Sequence, residues 1–237
     1  SRFFGPYAGY IQADAFSGYD HLFKGRGDGV PVPTEVGCWA HVRRKFVEAQ
    51  SSDALRSCTA VAMIKLLYEV EAEARLKVEQ EQLAIDDSDA TVALEARARA
   101  AAIRLELRQA QSVPHLAKIK AWMEEQRVQA LPKSPIGQAI DYALSNWAAR
   151  TRYTEDGDLA PDNKAAENAL RPIVLGRKNW LFAGSDNGGR TGAVLASLVA
   201  SCKRHGLDPF SYLRNLLTRI AATPINQLDQ FLPDRWK

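Results

Sequence analysis

Residues 53–125 are almost entirely long runs of Ala, Leu, Glu, Arg and Gln, and this stretch limits the possible folds more than any other. Straight-chain side chains and alanine lose little freedom in a helix, so the segment reads as consecutive long helices. Asp86-Asp87-Ser88 divides the first two, and Ser112-Val113-Pro114 starts a third, with Pro114 in its first turn. With the helix that follows at 134–149 the helical block is about a hundred residues, and such a chain is predominantly helical whatever its ends do.

The ends differ in character. GYIQAD, residues 9–14, alternates apolar and polar residues and reads as a strand ending at Asp14, followed by a short turn or helix over 16–23. KGRGDGVPVP, residues 24–33, carries three glycines and two prolines and reads as a loop. TEVGCWA, residues 34–40, is a second strand candidate, and HVRRKFVEA continues from it as a basic helix. Ser134-Pro135 opens a helix to about Ala149, with Ile136, Ile140, Ala143, Leu144 and Trp147 inward.

Further on, PDNKAAENALRP predicts a short helix of about two turns, entered at Asp162-Asn163 and closed by Arg171-Pro172. Residues 176–189 read as a glycine-rich irregular stretch around Trp180, Leu181 and Phe182. A helix over 190–205 with the stripe Val194, Leu195, Leu198, Val199 and Cys202 ends at Gly206. Pro209 opens the last helix, with Phe210, Leu213, Leu216, Leu217 and Ile220 on one side. Both stripes read as core. The division is therefore 1–50, 51–155 and 156–237.

Hydrophobic residues make up 46% and charged residues 25% of the chain, which is globular composition. No apolar run reaches the roughly 18 residues that cross a bilayer, and SRFFGPYAGY lacks a signal-peptide pattern. Cys38, Cys58 and Cys202 are widely separated, as reduced thiols in a cytoplasm would be. Residues 161–237 carry 11 Lys/Arg against 6 Asp/Glu, whereas residues 69–110 carry 6 against 10. A basic C-terminal third beside an acidic helical middle suggests one surface that meets a polyanion.

Most local motifs point nowhere. GSDNGG and GRK do not fit the G-x-x-x-x-G-K-[ST] phosphate loop. Cys38 and His41 have a C-x-x-H spacing without a second ligand pair, so they read as a buried thiol and a packed or hydrogen-bonding imidazole. G-x-S-x-G is absent. Two acids remain. Glu167 stands between Lys164 and Arg171 at helical spacing, which by itself describes an exposed ion-pair stripe worth a few tenths of a kcal/mol. Asp14, at a strand end, is held rigidly, although capping the next turn is the commoner use of such a residue. Carboxylates from a strand end, a helix and another strand can hold two hard divalent ions for in-line phosphoryl transfer.

Several stretches taken together resemble one family: GYIQADAFSGYD, GCWAHVRRKF, LPKSPIGQAIDYALSNW, DNKAAENALRPIVLGRKNWLFAGSDNGG, GLDPFSYLRNLLTRI and the terminal LPDRW. They are similar to the C-terminal catalytic part of bacterial transposases of the insertion sequence 66 family, of the DDE class. The resemblance implies an α+β, predominantly helical chain with a partial ribonuclease-H-like core lacking its first strands, a large helical insertion and C-terminal helices. It implies that Asp14 matches the second catalytic acid and Glu167 the third, both as ligands of Mg²⁺ or Mn²⁺, two ions in the intact site. The family's first acid lies upstream of these residues, so the resemblance also implies a fragment that is inactive, or nearly so, by itself.

The implied partner is DNA, both element ends and target, with Arg171, Arg177, Lys178 and Arg190 near the scissile phosphate and Arg43, Arg44 and Lys45 as a second patch. Such backbone contacts give salt-sensitive affinity and little sequence information. An open sheet edge implies self-association or other transposase subunits as further partners, and no membrane. Asn168 stands where the family usually has Arg, and Lys164 where it has Asn. The competing expectations are a non-catalytic DNA-binding or oligomerisation fragment and a decayed remnant.

Overall fold

The computed structural model describes residues 7–15, 17–24, 31–81, 90–180 and 182–236. Most of the 24–33 loop, the 86–88 division and Leu181 lie outside the described residues. The chain divides into two compact units, Ser1–Lys164 and Ala165–Lys237. Helices dominate both, as the composition of the middle predicts, and among the described residues no helix is long and apolar enough to cross a membrane.

The first unit begins with two parallel strands, β1 (Tyr10–Gln12) and β2 (Thr34–Val36), in the register Tyr10↔Thr34, Ile11↔Glu35 and Gln12↔Val36. Parallel strands require a crossover, and the short helix α1 (Asp20–Phe23) lies in it. β2 is shorter than TEVGCWA suggests. Gly37 and Cys38 leave the ladder, and α2 (Trp39–Glu48) starts two residues before His41. The reason is packing: Trp39, Val42 and Phe46 recur at helical spacing and are completely buried, which leaves Arg43, Arg44 and Lys45 on the outside.

Against α2 lie α3 (Ala54–Gln80), α5 (Val113–Gln129) and α6 (Pro135–Ser145). Ile64 and Leu67 of α3, Ile119 and Met123 of α5 and Ile140 of α6 meet Trp39 and Phe46 in one core. Each such side chain contributes about 1.5–3 kcal/mol on burial. Asp53 caps α3 by accepting from the Arg56 amide at 3.0 Å, and Ser134 caps α6 through the Gly137 amide at 3.2 Å. α6 stops at Asn146 (φ −121°, ψ 36°), and α7 (Trp147–Thr151) follows, so the expected single helix to Ala149 is two. Of its expected inward residues, Ile136, Ile140 and Ala143 are buried and Leu144 and Trp147 partly so.

Ser112-Val113-Pro114 marks the start of α5, with Pro114 in its first turn as expected, but no break precedes it. α4 (Ala90–Leu107) passes through a π-helical turn, Arg108–Ser112, directly into α5. Ser112 has helical dihedrals (φ −66°, ψ −40°) and caps nothing. Pro114 has no N–H to give the preceding turn, and a wider turn relieves its ring. That turn also turns Arg108 inward, where it is 1% exposed. Its guanidinium grips Glu71 of α3 with two bonds of 2.7 Å and donates to the carbonyls of Tyr153 and Asp156 at 3.0 Å.

In the second unit α8 (Lys164–Trp180) is 17 residues long, not two turns. Pro172 lies inside it. A proline costs one backbone bond and crowds the carbonyl four residues back, but the good helix formers before it, Ala165, Ala166, Ala169, Leu170 and Arg171, lead the helix past it. α9 (Asp186–Arg204) likewise starts earlier than Arg190, because Ser185 accepts from the Gly188 amide at 3.0 Å and draws the glycine-rich residues into its first turn. Gly206 (φ 69°) ends α9, with Leu207 N–H bonded to the Cys202 carbonyl at 2.9 Å. α10 (Pro209–Arg219) is capped by Asp208 through the Ser211 amide at 2.8 Å.

The core of this unit is small: Cys202, Tyr212, Leu216 and Phe231, with Leu198 and Leu213 beside them. The two apolar stripes are therefore only partly core. Val194, Leu195, Phe210, Leu217 and Ile220 are exposed, as are Leu170, Ile173 and Phe182.

Candidate functional site

Asp14 follows β1 by two residues. The ladder runs one bond past the strand, from the Ala13 amide to the Val36 carbonyl at 2.9 Å, and Ala13 is buried. Asp14 is thus the first residue to leave the sheet. Its backbone carbonyl accepts the Tyr142 hydroxyl from α6 at 2.7 Å, and Ala15 turns the chain with φ 61°. A left-handed backbone costs a β-carbon-bearing residue about 1 kcal/mol, so the turn after Asp14 is held by its surroundings.

The Asp14 carboxylate faces α2. His41 Nε2 lies 3.8 Å from Asp14 Oδ2, while His41 Nδ1 lies 3.2 Å from Cys38 Sγ. Cys38 is 2% exposed, and burial pushes its thiol up, so it is an inert anchor and not a nucleophile. This agrees with the reading of Cys38 and His41 as a buried thiol and a bonded imidazole. Arg43, Arg44 and Lys45 sit one turn further along α2, all exposed, with Lys45 3.8 Å from Glu48.

Behind Asp14 the strand ends are pinned by α7 and the segment before α8. The Gly37 amide donates to the Ala149 carbonyl at 2.8 Å, the Trp39 indole to the Arg150 carbonyl at 2.9 Å, and the Trp39 amide to the Pro161 carbonyl at 2.9 Å. Gln12 Nε2 reaches the Ala160 carbonyl at 2.6 Å. Arg152 donates to the Glu35 carbonyl. Arg150 is buried, stacks on the Tyr142 ring at 4.5 Å and donates to the Ala143 carbonyl at 3.0 Å. Burial holds its guanidinium below the ordinary arginine value, and burial also raises the Tyr142 hydroxyl and the Glu35 carboxyl. The sequence reading singled out none of Gln12, Tyr142, Arg150 and Arg152. Gln12, Tyr142 and Arg152 each reach a backbone carbonyl more than a hundred residues away, and Arg150 packs on Tyr142 and Ala143 from the neighbouring helix, so no short motif reveals them.

Glu167 lies in the first turn of α8, where a negative charge complements the helix dipole. Asp162, just before the helix, accepts the Lys164 amide at 3.2 Å and pairs with the Lys164 ammonium at 3.2 Å. Arg171 follows Glu167 by one turn and Lys178 by three, with Arg177 in the same last turn, all exposed. Arg190, in the first turn of α9, lines an open concavity of about 690 Å³ with Phe182, Ser185 and Asp186. A groove of about 240 Å³ between α8 and α9 holds Asn168, Pro172, Ile173, Val199 and Lys203.

Carboxylate oxygens are the donors that a hard divalent ion prefers, so Asp14 and Glu167 each offer a donor of the right kind. Among the described residues no group of three or more His, Cys, Asp or Glu is placed to hold a metal ion.

Comparison with known proteins gives the class. The family model for the Transposase IS66 family matches residues 1–191, and that for the IS66 C-terminal element matches residues 197–233. These matches make the chain a transposase-class sequence. It belongs to the IS66 transposase family. Relatives in Sinorhizobium fredii include the uncharacterized proteins y4hP, 30% identical over 98% of this chain and 40% of its own length, and y4qI, 33% identical over 100% and 41%. The chain thus spans about two fifths of the length of the curated relatives it matches. No solved structure matches it.

Proposed function

We propose that these residues form the part of a DNA-cleaving and strand-transferring transposase that supplies two carboxylates of its metal site, Asp14 and Glu167, on a ribonuclease-H-like core. Family membership along nearly the whole chain carries the reading, and the placing of Asp14 at the end of a parallel strand supports it. Mg²⁺ or Mn²⁺, when bound, would polarise the phosphodiester and activate the attacking oxygen. This chain's own residues have simpler tasks. Asp14 and Glu167 hold oxygen donors in place. Arg171, Arg177, Lys178 and Arg190, with Arg43, Arg44 and Lys45, lie exposed and neutralise phosphates along the DNA.

Two acids leave part of an octahedral shell empty, so the 237-residue polypeptide alone is proposed to turn over little or no DNA. The test is calorimetric titration of that polypeptide with Mn²⁺, beside Asp14→Asn and Glu167→Gln. Heat that falls in both variants supports a shared ion, and heat equal in all three removes the assignment. Mn²⁺-dependent cutting of element-end DNA by the polypeptide, abolished by Glu167→Gln, would overturn the proposed inactivity.

A further inference from the structure

We propose that the outer face of α10, closed by Trp236, is a separate binding site for the phosphate backbone of nucleic acid; the proposal rests on the DNA-acting reading above. Ser211, Arg214, Asn215, Thr218 and Arg219 share that face at three- and four-residue spacing, and with Trp236 they line a concavity of about 450 Å³. Every lining residue carries a polar hydrogen-bonding group, and none is acidic. The adjoining face supplies the buried Tyr212 and Leu216, so the helix cannot roll the arginines away without losing its core.

The cations are held in position. Arg219 stacks on the Phe231 ring at 5.0 Å and reaches Asn215 Oδ1 and Gln230 Oε1 at 3.4 Å. Arg214 lies over Phe210 at 5.9 Å. Arg219 takes neutral partners, and Asp229 is paired with Arg235 at 2.5 Å; Arg214 lies in the field of the Asp208 carboxylate, which is itself held by the Ser211 amide at 2.8 Å. Trp236 is fixed too. Its indole N–H donates to the same Asn215 Oδ1 at 3.3 Å, and its ring meets Tyr212 edge-on at 5.7 Å. Two oriented guanidiniums, two hydroxyls and an indole in one shallow hollow match a phosphodiester with its attached sugar and base.

The experiment is fluorescence anisotropy of the 237-residue chain with a short fluorescein-labelled oligonucleotide, repeated across a salt series. Arg214→Ala/Arg219→Ala is expected to weaken binding at least about fivefold and to reduce the slope of log affinity against log salt by about two. Arg214→Lys/Arg219→Lys, which keeps the charge, should retain the slope and so separates charge loss from misfolding. An unchanged slope in the alanine pair, with a reduced one in Arg171→Ala/Arg190→Ala, would overturn this site and leave the general reading standing. No salt-dependent binding by the wild-type chain would overturn both.

Discussion

His41 Nε2 stands 3.8 Å from Asp14 Oδ2 because its other ring nitrogen is tied to the buried Cys38 thiol at 3.2 Å. The separation is too long for a direct hydrogen bond, but the ring is fixed with one nitrogen toward the carboxylate. A partner that orients a ligand typically changes metal affinity 10–100-fold. His41→Ala should therefore weaken Mn²⁺ binding by about tenfold, and His41→Asn, which keeps a donor, by less. Equal titration curves for wild type and His41→Ala would show that the imidazole only packs.

Much of this arrangement is legible in the sequence, and the failures have physical causes. The caps at Asp53, Ser134 and Asp208 and the stop at Gly206 depend on neighbours within four residues, so spacing finds them. Ser112-Val113-Pro114 marks the start of α5 but not the break it suggests, and Arg171-Pro172 misleads outright. At the first, the wider turn that holds the buried Arg108 keeps the helix continuous; at the second, the helix formers before Pro172 outweigh one proline. Asp14 is visible as an acid at a strand end. Its hold on Tyr142 spans 128 residues and leaves no local trace.

The Arg108–Glu71 pair gives a stability prediction. Removing one partner of a buried pair leaves an uncompensated charge and typically costs about 3–5 kcal/mol. Glu71 is slightly exposed at 16% of its side chain, so Glu71→Ala should fall at the lower end, about 3 kcal/mol. Glu71→Leu/Arg108→Met should cost less than Glu71→Ala, because no charge remains buried. Urea unfolding of the three proteins measures this, and a double variant less stable than the single one would contradict it.

Gly37 and Gly157 are close-approach positions. A β-carbon on Gly37 would lie 2.7 Å from Arg150 Cγ and 3.1 Å from the Arg150 backbone nitrogen, and one on Gly157 would lie 1.9 Å from the Ala101 carbonyl oxygen. A backbone oxygen cannot swing aside as a side chain does. Gly157→Ala should therefore destabilise by about 2–3 kcal/mol, toward the top of the overpacking range, and Gly37→Ala by about 1–2 kcal/mol. Thermal denaturation should rank them in that order, and the reverse order would show that the Gly157 loop yields more easily than α7.

Glu35 predicts a pH dependence. Burial raises its carboxyl above the ordinary value of 4.5, against the pull of Arg150, Arg152 and Asn146. The folded state therefore holds this proton more tightly than the unfolded chain, whose glutamate titrates at about 4.3. Its contribution to stability is fully present below the unfolded value. It declines as pH rises through the folded value and is constant above it. At about pH 7 the carboxylate is charged and partly desolvated, a cost that an uncharged amide of the same shape avoids. Glu35→Gln should thus be more stable than wild type at about pH 7, with the gain shrinking toward zero at about pH 4. Urea unfolding of both proteins across that range reads the difference directly, with other titrating groups cancelling between them. A wild type more stable than Glu35→Gln at about pH 7 would mean that the arginines outweigh burial at this carboxylate.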